Sequence, residues 1–128
     1  MRIISFGYLH GGPPPAQITI DLRELFRDPH IDPAMRELTG LDQAVVDNVL
    51  AQPGARRFAV DLTECLTGLS TVTDTVTVAV GCAGGRHRSV VLANLLANWF
   101  ADYGYGAATV EHRDLDKPVV QRPAGGVS

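Results

Sequence analysis

The sequence predicts an α/β domain: a mostly parallel, four-stranded sheet flanked by helices in a three-layer arrangement. Short β-branched apolar runs alternate with longer segments of helical spacing, which is the order typical of parallel sheets. A glycine-rich turn joins one of these runs directly to a helix, and charged or histidine residues follow the ends of other strands. The 128 residues are enough for one domain with a substantial core.

Four short, apolar segments are predicted as strands, at residues 2–7, 17–21, 76–80 and 107–111. Three consecutive prolines between the first two exclude a sheet interior there, so residues 8–16 are predicted as a loop. Helical spacing predicts helices over 41–52, 55–69 and from 90 to about 100, and 34–38 favours one short turn. Gly104 is placed as the C-terminal glycine cap of the last helix.

The composition bounds the function. A net charge of −3 and a pI of about 5.7 disfavour a strongly basic nucleic-acid binder. Two cysteines without a signal peptide predict a reducing, cytoplasmic setting, and no apolar run approaches the ~18 residues of a membrane span. From residue 118 onward the chain is punctuated by Pro and Gly, which predicts a disordered tail over 118–128 after a domain at 1–117.

The segment from Gly81 to Ser89, with the sequence GCAGGRHRS, is the main candidate site. In a strand–glycine loop–helix unit the loop amides and the free N–H groups of the first helical turn converge on one point. The helix dipole adds roughly half a positive charge there. The segment therefore predicts an anion cradle, in which the Arg88 guanidinium would grip a phosphate bidentately if the geometry allows.

Ligands of open α/β sheets bind at the carboxyl ends of the strands, so side chains near other strand ends are expected to converge on this loop. The ligand-binding candidates are Cys82, Ala83, Gly84, Gly85, Arg86, His87, Arg88, Ser89, His10, Asp21, Arg23, His30 and His112. The histidines would add hydrogen bonds that depend on pH. These residues also have plainer interpretations. His112 would be a solvated strand end, and Asp21 and Arg23 an internal ion pair. His10 and His30 would be ordinary polar loop residues.

Two alternatives to a binding loop remain open. The loop would be a sharp strand-to-helix turn whose basic residues face water, or it would be a catalytic loop. Cys82 and Arg88 fit the Cys-x5-Arg-Ser/Thr loop of tyrosine phosphatases, in which a cysteine attacks phosphorus, and Asp114 would serve as the acid. Gly81 departs from that pattern, because a histidine usually precedes the cysteine. The sequence predicts no metal site and no cofactor, since it contains neither zinc-ligand spacing nor a Walker-type loop.

Several motifs together resemble the C-terminal domain of the RapZ-type RNase adapter proteins, over residues 5–117. The motifs are SFGY followed by HG near the first strand, DLR, DPH, RxLTGLD, the GCAGGRHRS loop and HRDLDK. The resemblance implies a phosphosugar-binding fold, and pocket residues at His10, Arg23, His30, Gly84, His87, Arg88, Ser89 and His112. It also implies sensing of an amino-sugar phosphate such as glucosamine-6-phosphate, and a possible homo-oligomer.

In enterobacterial members of the family that this sequence resembles, the domain binds small regulatory RNA and presents it to an RNase, so the resemblance implies an RNA-binding adapter as the second hypothesis. Its candidate contacts are Arg86, Arg88, Arg113, Lys117 and Arg122. The family's full-length members carry a nucleotide-binding domain on the N-terminal side, and this sequence does not contain it. The basic end is reduced, and the net negative charge weakens the phosphate-neutralising term in RNA affinity. A phosphorylated small molecule is therefore the leading predicted partner, and no membrane is expected.

Overall fold

The computed structural model describes residues 1–104 and 106–120. The strands are β1 (Arg2–Gly7), β2 (Ile18–Asp21), β3 (Thr77–Cys82) and β4 (Thr109–His112). The helices are α1 (Pro33–Arg36), α2 (Gln43–Leu50), α3 (Ala55–Ser70) and α4 (Arg88–Asp102), with 3-10 turns at Tyr8–His10 and Pro29–Ile31. The predicted strands and long helices are confirmed with shifts of about two residues at their ends. Neither 3-10 turn was predicted.

The four strands form one parallel sheet in the order β2-β3-β1-β4. The predicted α/β fold, a parallel four-stranded sheet flanked by helices, is confirmed. The β1–β2 connection crosses the sheet in the opposite direction to the other two connections.

The main core lies between the sheet and the helices α3 and α4. Side chains at alternate positions of the strands face these helices, as the period-2 pattern requires. The buried cluster includes Ile3, Val78 and Val80 from the sheet with Ala59, Leu66, Ala93 and Leu96 from the helices. On the other face, Phe6 is fully buried beneath the Tyr8 ring, with ring centroids 4.8 Å apart.

The two ends of α4 are set by local features. His87 precedes the helix with φ −117° and ψ −90°, a conformation that directs the chain out of the loop and into the helix. At the other end, Gly104 has a φ of 78° and donates its N–H to the Ala101 carbonyl at 3.0 Å. This is the glycine cap that the sequence predicts. Of the predicted disordered tail, residues 121–128 lie outside the described residues.

Candidate anion-binding site

The glycine loop occupies residues 83–87, between the end of β3 and the start of α4. Gly85 has a φ of 74°, which a residue with a Cβ adopts only with strain. The loop packs directly on the end of β1, where a Cβ on Gly7 would lie 2.4 Å from the Gly84 carbonyl carbon. Both glycines are therefore required for the loop to fold tightly over the carboxyl edge of the sheet.

Two main-chain carbonyls of this loop accept hydrogen bonds from other segments, whereas the N–H groups of residues 84–87 donate to no main-chain carbonyl in the described part of the chain. The Ala83 carbonyl accepts the Leu9 N–H at 3.0 Å, and the Arg86 carbonyl accepts the Gly40 N–H at 2.7 Å. Across residues 1–104 and 106–120, by contrast, no main-chain carbonyl accepts a hydrogen bond from the N–H groups of residues 84–87. Free N–H groups at the N-terminus of a 15-residue helix form the arrangement that favours an anion.

A narrow pocket opens beside these N–H groups. It is lined by Leu9, His10, His30, Gly84, Arg86, His87, Val119 and Val120. Its cavity volume is about 10 Å³, which is room for roughly one water molecule. The structure thus brings together part of the predicted set, namely two loop histidines, one arginine and the glycine loop itself.

Two polar side-chain atoms at this pocket are buried with no hydrogen-bond partner in the described part of the chain. They are Nε2 of His10 and Nε of Arg86. Buried nitrogen atoms without partners are unusual, because each costs about 1–3 kcal/mol of desolvation. An acceptor such as a phosphate oxygen would satisfy Arg86 Nε, and His10 Nε2 as well in the tautomer that carries its proton there.

His87 is held by the protein rather than directed freely at a ligand. Its Nε2 lies 3.1 Å from the Met35 carbonyl and must therefore carry a proton. Burial lowers the pKa of His87, although its contacts with the Leu38 and Met35 carbonyls oppose the shift. The His87 and His30 ring centroids are 6.3 Å apart, so the two imidazoles form one side of the pocket.

Arg88 requires a correction, because its guanidinium has another role than the predicted grip on phosphate. It is 1% exposed, and its Nη1 lies 3.0 to 3.4 Å from four main-chain carbonyls, those of Leu22, Arg23, Leu25 and Phe26. Nη2 lies 3.6 Å from the Asp28 carboxylate. With Nη1 and Nη2 both engaged, a bidentate grip on a ligand would require these contacts to break.

The phosphatase hypothesis finds its cysteine close to the serine of the same motif, but not the rest of its machinery. Cys82 is 2% exposed, and its Sγ lies 3.1 Å from Ser89 Oγ. Asp114 is fully buried. Burial alone would raise its pKa, but hydrogen bonds from Arg113, the Gly7 N–H and Lys117 outweigh that effect and lower the pKa to about 2. A carboxylate that is ionised at pH 7 and saturated with donors cannot serve as a general acid.

His112 does not reach the pocket, contrary to the sequence prediction. Its Nδ1 lies 2.6 Å from Ser5 Oγ, and its Nε2 lies 3.0 Å from Asn94 Oδ1. In the matching tautomer Nε2 donates to the amide oxygen and Nδ1 accepts the hydroxyl proton. His112 faces the helical side of the sheet, and burial lowers its pKa. It joins β4, β1 and α4 instead of contacting a ligand.

Asp21 and Arg23 bond to each other rather than lining the pocket. Arg23 Nη2 lies 2.7 Å from Asp21 Oδ2, and both side chains are about half exposed. The hydrogen bond from Arg23 is the largest cause that lowers the pKa of Asp21. The Arg23 guanidinium also stacks 3.7 Å from the centroid of the Tyr8 ring. The plainer interpretation, an internal ion pair, describes this placement.

The proposed RNA contacts are largely neutralised by neighbouring groups. Arg113 Nη2 lies 2.9 Å from the Asp114 carboxylate, and Lys117 Nζ lies 2.6 Å from it. Arg113 also donates to the Gly12 carbonyl at 2.7 Å. Arg86 lines the pocket, and Arg122 lies outside the described residues. Arg113 and Lys117 therefore share one buried carboxylate, which offsets part of their charge toward a phosphate backbone.

Three pocket residues have no counterpart in the sequence prediction: Leu9, Val119 and Val120. Leu9 belongs to the unpredicted 3-10 turn after β1. The two valines come shortly after Lys117, which pairs with Asp114. No motif or periodicity marks them. Among the described residues, no group of three metal-ligating side chains lies together. No described helix is long and apolar enough to cross a membrane.

Comparison with known proteins identifies the family. The family model described as the RapZ C-terminal domain matches residues 1–116. A nucleotide-binding protein of Rhodospirillum centenum is 43% identical over 120 residues, covering 90% of this chain and 36% of the relative. Relatives of the same description in Symbiobacterium thermophilum and Thermobifida fusca are 39% and 42% identical, covering 92% and 91% of this chain.

The chain spans only 40% of the length of each of these two relatives, so their printed description as nucleotide-binding proteins refers to longer chains. The family model, in contrast, covers nearly the whole chain, and it includes every strand and helix of the sheet domain. The resemblance seen in the glycine loop and its neighbouring motifs is thus confirmed at the level of the family. The chain belongs to the RapZ C-terminal domain family.

Proposed function

We propose that this domain binds a phosphorylated small metabolite without catalysing its conversion, with the phosphate held by the main-chain N–H groups of residues 84–87. The observation that carries the proposal is that these N–H groups, at the N-terminus of α4, have no main-chain acceptor among residues 1–104 and 106–120. The buried nitrogen atoms of Arg86 and His10, which lack partners in the described part of the chain, lie at the same pocket and supply further donors.

An amino-sugar phosphate, such as glucosamine-6-phosphate, is the proposed ligand class. The family implies a sugar phosphate, and the pocket supports a small anion because it is narrow and contains two buried nitrogen atoms without partners in the described part of the chain. Leu9 and Val119, at 41% and 50% exposure, contribute apolar groups to its lining. Because the cavity has room for about one water molecule, entry of a phosphate requires the Val119 and Val120 side chains to move outward.

The domain is proposed to act by binding alone. A cysteine mechanism needs a nucleophile, an arginine directed at phosphate and an acid, but Arg88 and Asp114 are both engaged within the protein. Binding in the cytoplasm would then report the level of the metabolite to whatever the domain contacts.

The direct test is a titration followed by 1H–15N correlation spectra. Inorganic phosphate and glucosamine-6-phosphate are each added, and the amide signals of residues 84–87 are followed. Large downfield shifts confined to these amides are expected, because an anion would accept their hydrogen bonds. Glucosamine, which lacks the phosphate, is the matched control. Equal shifts with glucosamine, or unshifted loop amides at saturating phosphate, would disprove the proposal.

A further inference from the structure

The buried pair Arg88–Asp28 lies next to the pocket but does not line it. The two side chains are 1% and 2% exposed, and Nη2 of Arg88 lies 3.6 Å from Oδ2 of Asp28. Buried charges are retained at a cost and are strongly destabilising when one partner is removed. The contacts of the two side chains show which segments of the backbone they hold in place.

Arg88 fixes the path of the segment that follows β2. Its Nη1 lies within 3.4 Å of four main-chain carbonyls between Leu22 and Phe26. Within this segment Phe26 has a φ of 60°, which is uncommon for a residue other than glycine. Because Arg88 is the first residue of α4, the start of that helix and the 22–28 segment are held as one unit.

Asp28 continues this connection toward the pocket. Its Oδ2 faces Arg88, while its Oδ1 accepts the main-chain N–H of His30 at 3.0 Å and caps the 3-10 turn Pro29–Ile31. The carbonyl of His30 accepts from Arg36 Nε at 3.1 Å. The backbone of His30 is therefore held on both sides, and its ring lines the pocket beside His87.

We propose that Arg88 and Asp28 are positioning residues that set the place of His30 at the anion pocket, and that they act through the carboxylate shared between the guanidinium and the His30 N–H. This inference rests on the proposed function for its consequence in binding. It assigns Arg88 a role in ligand recognition through His30 rather than through direct contact with phosphate.

The chain offers a matched control for Asp28. Asp32 caps the next turn in the same way, because its Oδ1 accepts the Ala34 N–H at 2.9 Å. Both aspartates precede a proline and both accept from the residue two positions later. Asp28 is buried against Arg88, whereas the Asp32 cap is an exposed hydrogen bond. Loss of a cap alone should therefore affect the two variants equally.

The experiment compares Asp28→Ala, Asp28→Asn and Asp32→Ala by two readouts. The first is the long-range 1H–15N spectrum of the histidine side chains, which needs no ligand. The second is the affinity for inorganic phosphate. Asp28→Ala is expected to move the His30 ring signals and to weaken phosphate binding about tenfold. Asp28→Asn keeps the size and one acceptor oxygen, and it provides the test if the alanine variant does not fold. It should move the same signals, since its neutral amide no longer pairs with Arg88.

Unchanged His30 signals in both Asp28 variants, or equal changes in Asp32→Ala, would overturn the positioning role. If the His30 signals move but the affinity for phosphate is unaltered, the proposed effect of His30 position on phosphate binding would be overturned. Failure of the proposed function is a separate result: the unsubstituted protein would show no phosphate-dependent shifts at residues 84–87, whatever the His30 spectrum shows in the variants.

Discussion

Two arginines separated by one residue have different surroundings in this domain. Arg88 is 1% exposed, with contacts to four carbonyls and a carboxylate. Arg86 lies at the pocket, with a buried Nε that has no partner in the described part of the chain. The comparison shows that charge and proximity to a glycine loop do not identify the ligand-binding residue. Under the proposed function, position at the pocket does, because the Nη atoms of Arg88 already contact protein groups, whereas Arg86 lines the pocket.

The largest effect is expected from Arg88→Ala. Four carbonyls and the buried Asp28 carboxylate would lose their common donor, so the free energy of unfolding should fall by about 3–5 kcal/mol. Urea denaturation measures this value. Arg56→Ala, on the exposed side of α3, is the control and should change stability by less than about 0.5 kcal/mol. A similarly small change in the free energy of unfolding for Arg88→Ala would contradict the structural role assigned to Arg88.

Asp114→Asn extends the comparison to a second buried charged group, which follows the end of β4. The carboxylate accepts from the Gly7 N–H at 2.7 Å and pairs with Arg113 and Lys117. We expect a loss of about 2–3 kcal/mol in urea denaturation, since three donors lose their anion. Asp116→Asn, an exposed neighbour, should have little effect.

The pH dependence offers a separate check on Asp114. Because its pKa is lowered to about 2 from 3.8, its contribution to stability is present above pH 3.8 and is lost progressively as the pH falls toward 2. The Asn variant should lack this part of the acid-induced loss. Parallel stability curves for the two proteins between pH 4 and 2 (roughly the interval of the shift) would contradict the assignment.

Arg86→Ala should affect phosphate binding more than it affects stability. Its removal is expected to weaken binding of inorganic phosphate by about 1–3 kcal/mol while the free energy of unfolding changes by less than about 0.5 kcal/mol. Calorimetry and urea denaturation of the same preparation give both values. Arg86→Lys, which keeps the charge but loses the Nε–H, separates charge from geometry. Unaltered affinity in the alanine variant would exclude Arg86 from the site.

The smallest effect concerns His87 and His112, the two histidines whose pKa is lowered. Burial lowers the pKa of both His87 and His112 below the ordinary value of about 6.5. The unfolded chain therefore binds more protons than the folded one just below pH 6.5, and stability should decline as the pH falls through this region. Urea denaturation at successive pH values measures the decline. A stability curve that rises toward lower pH would contradict it.

The elements of the fold follow from local sequence patterns. Alternation of β-branched residues marks the strands, and the pair Pro53-Gly54 separates two helices by breaking the helical spacing. The glycine loop is equally local, because tight approach to β1 requires glycine at positions 7 and 85. Together with the neighbouring motifs, these features were sufficient to predict the fold and the family.

The partners of the charged side chains were decided by tertiary structure. His112 pairs with Ser5 and Asn94, which are 107 and 18 residues away, and Arg88 reaches carbonyls more than 60 residues away. No spacing in the sequence encodes such contacts, since they depend on strand order and on the path of the loop after β2. The sequence alone determined the sheet, the helices and the position of the glycine loop. Which polar groups are saturated, and which remain open to a ligand, was determined only when the chain packed.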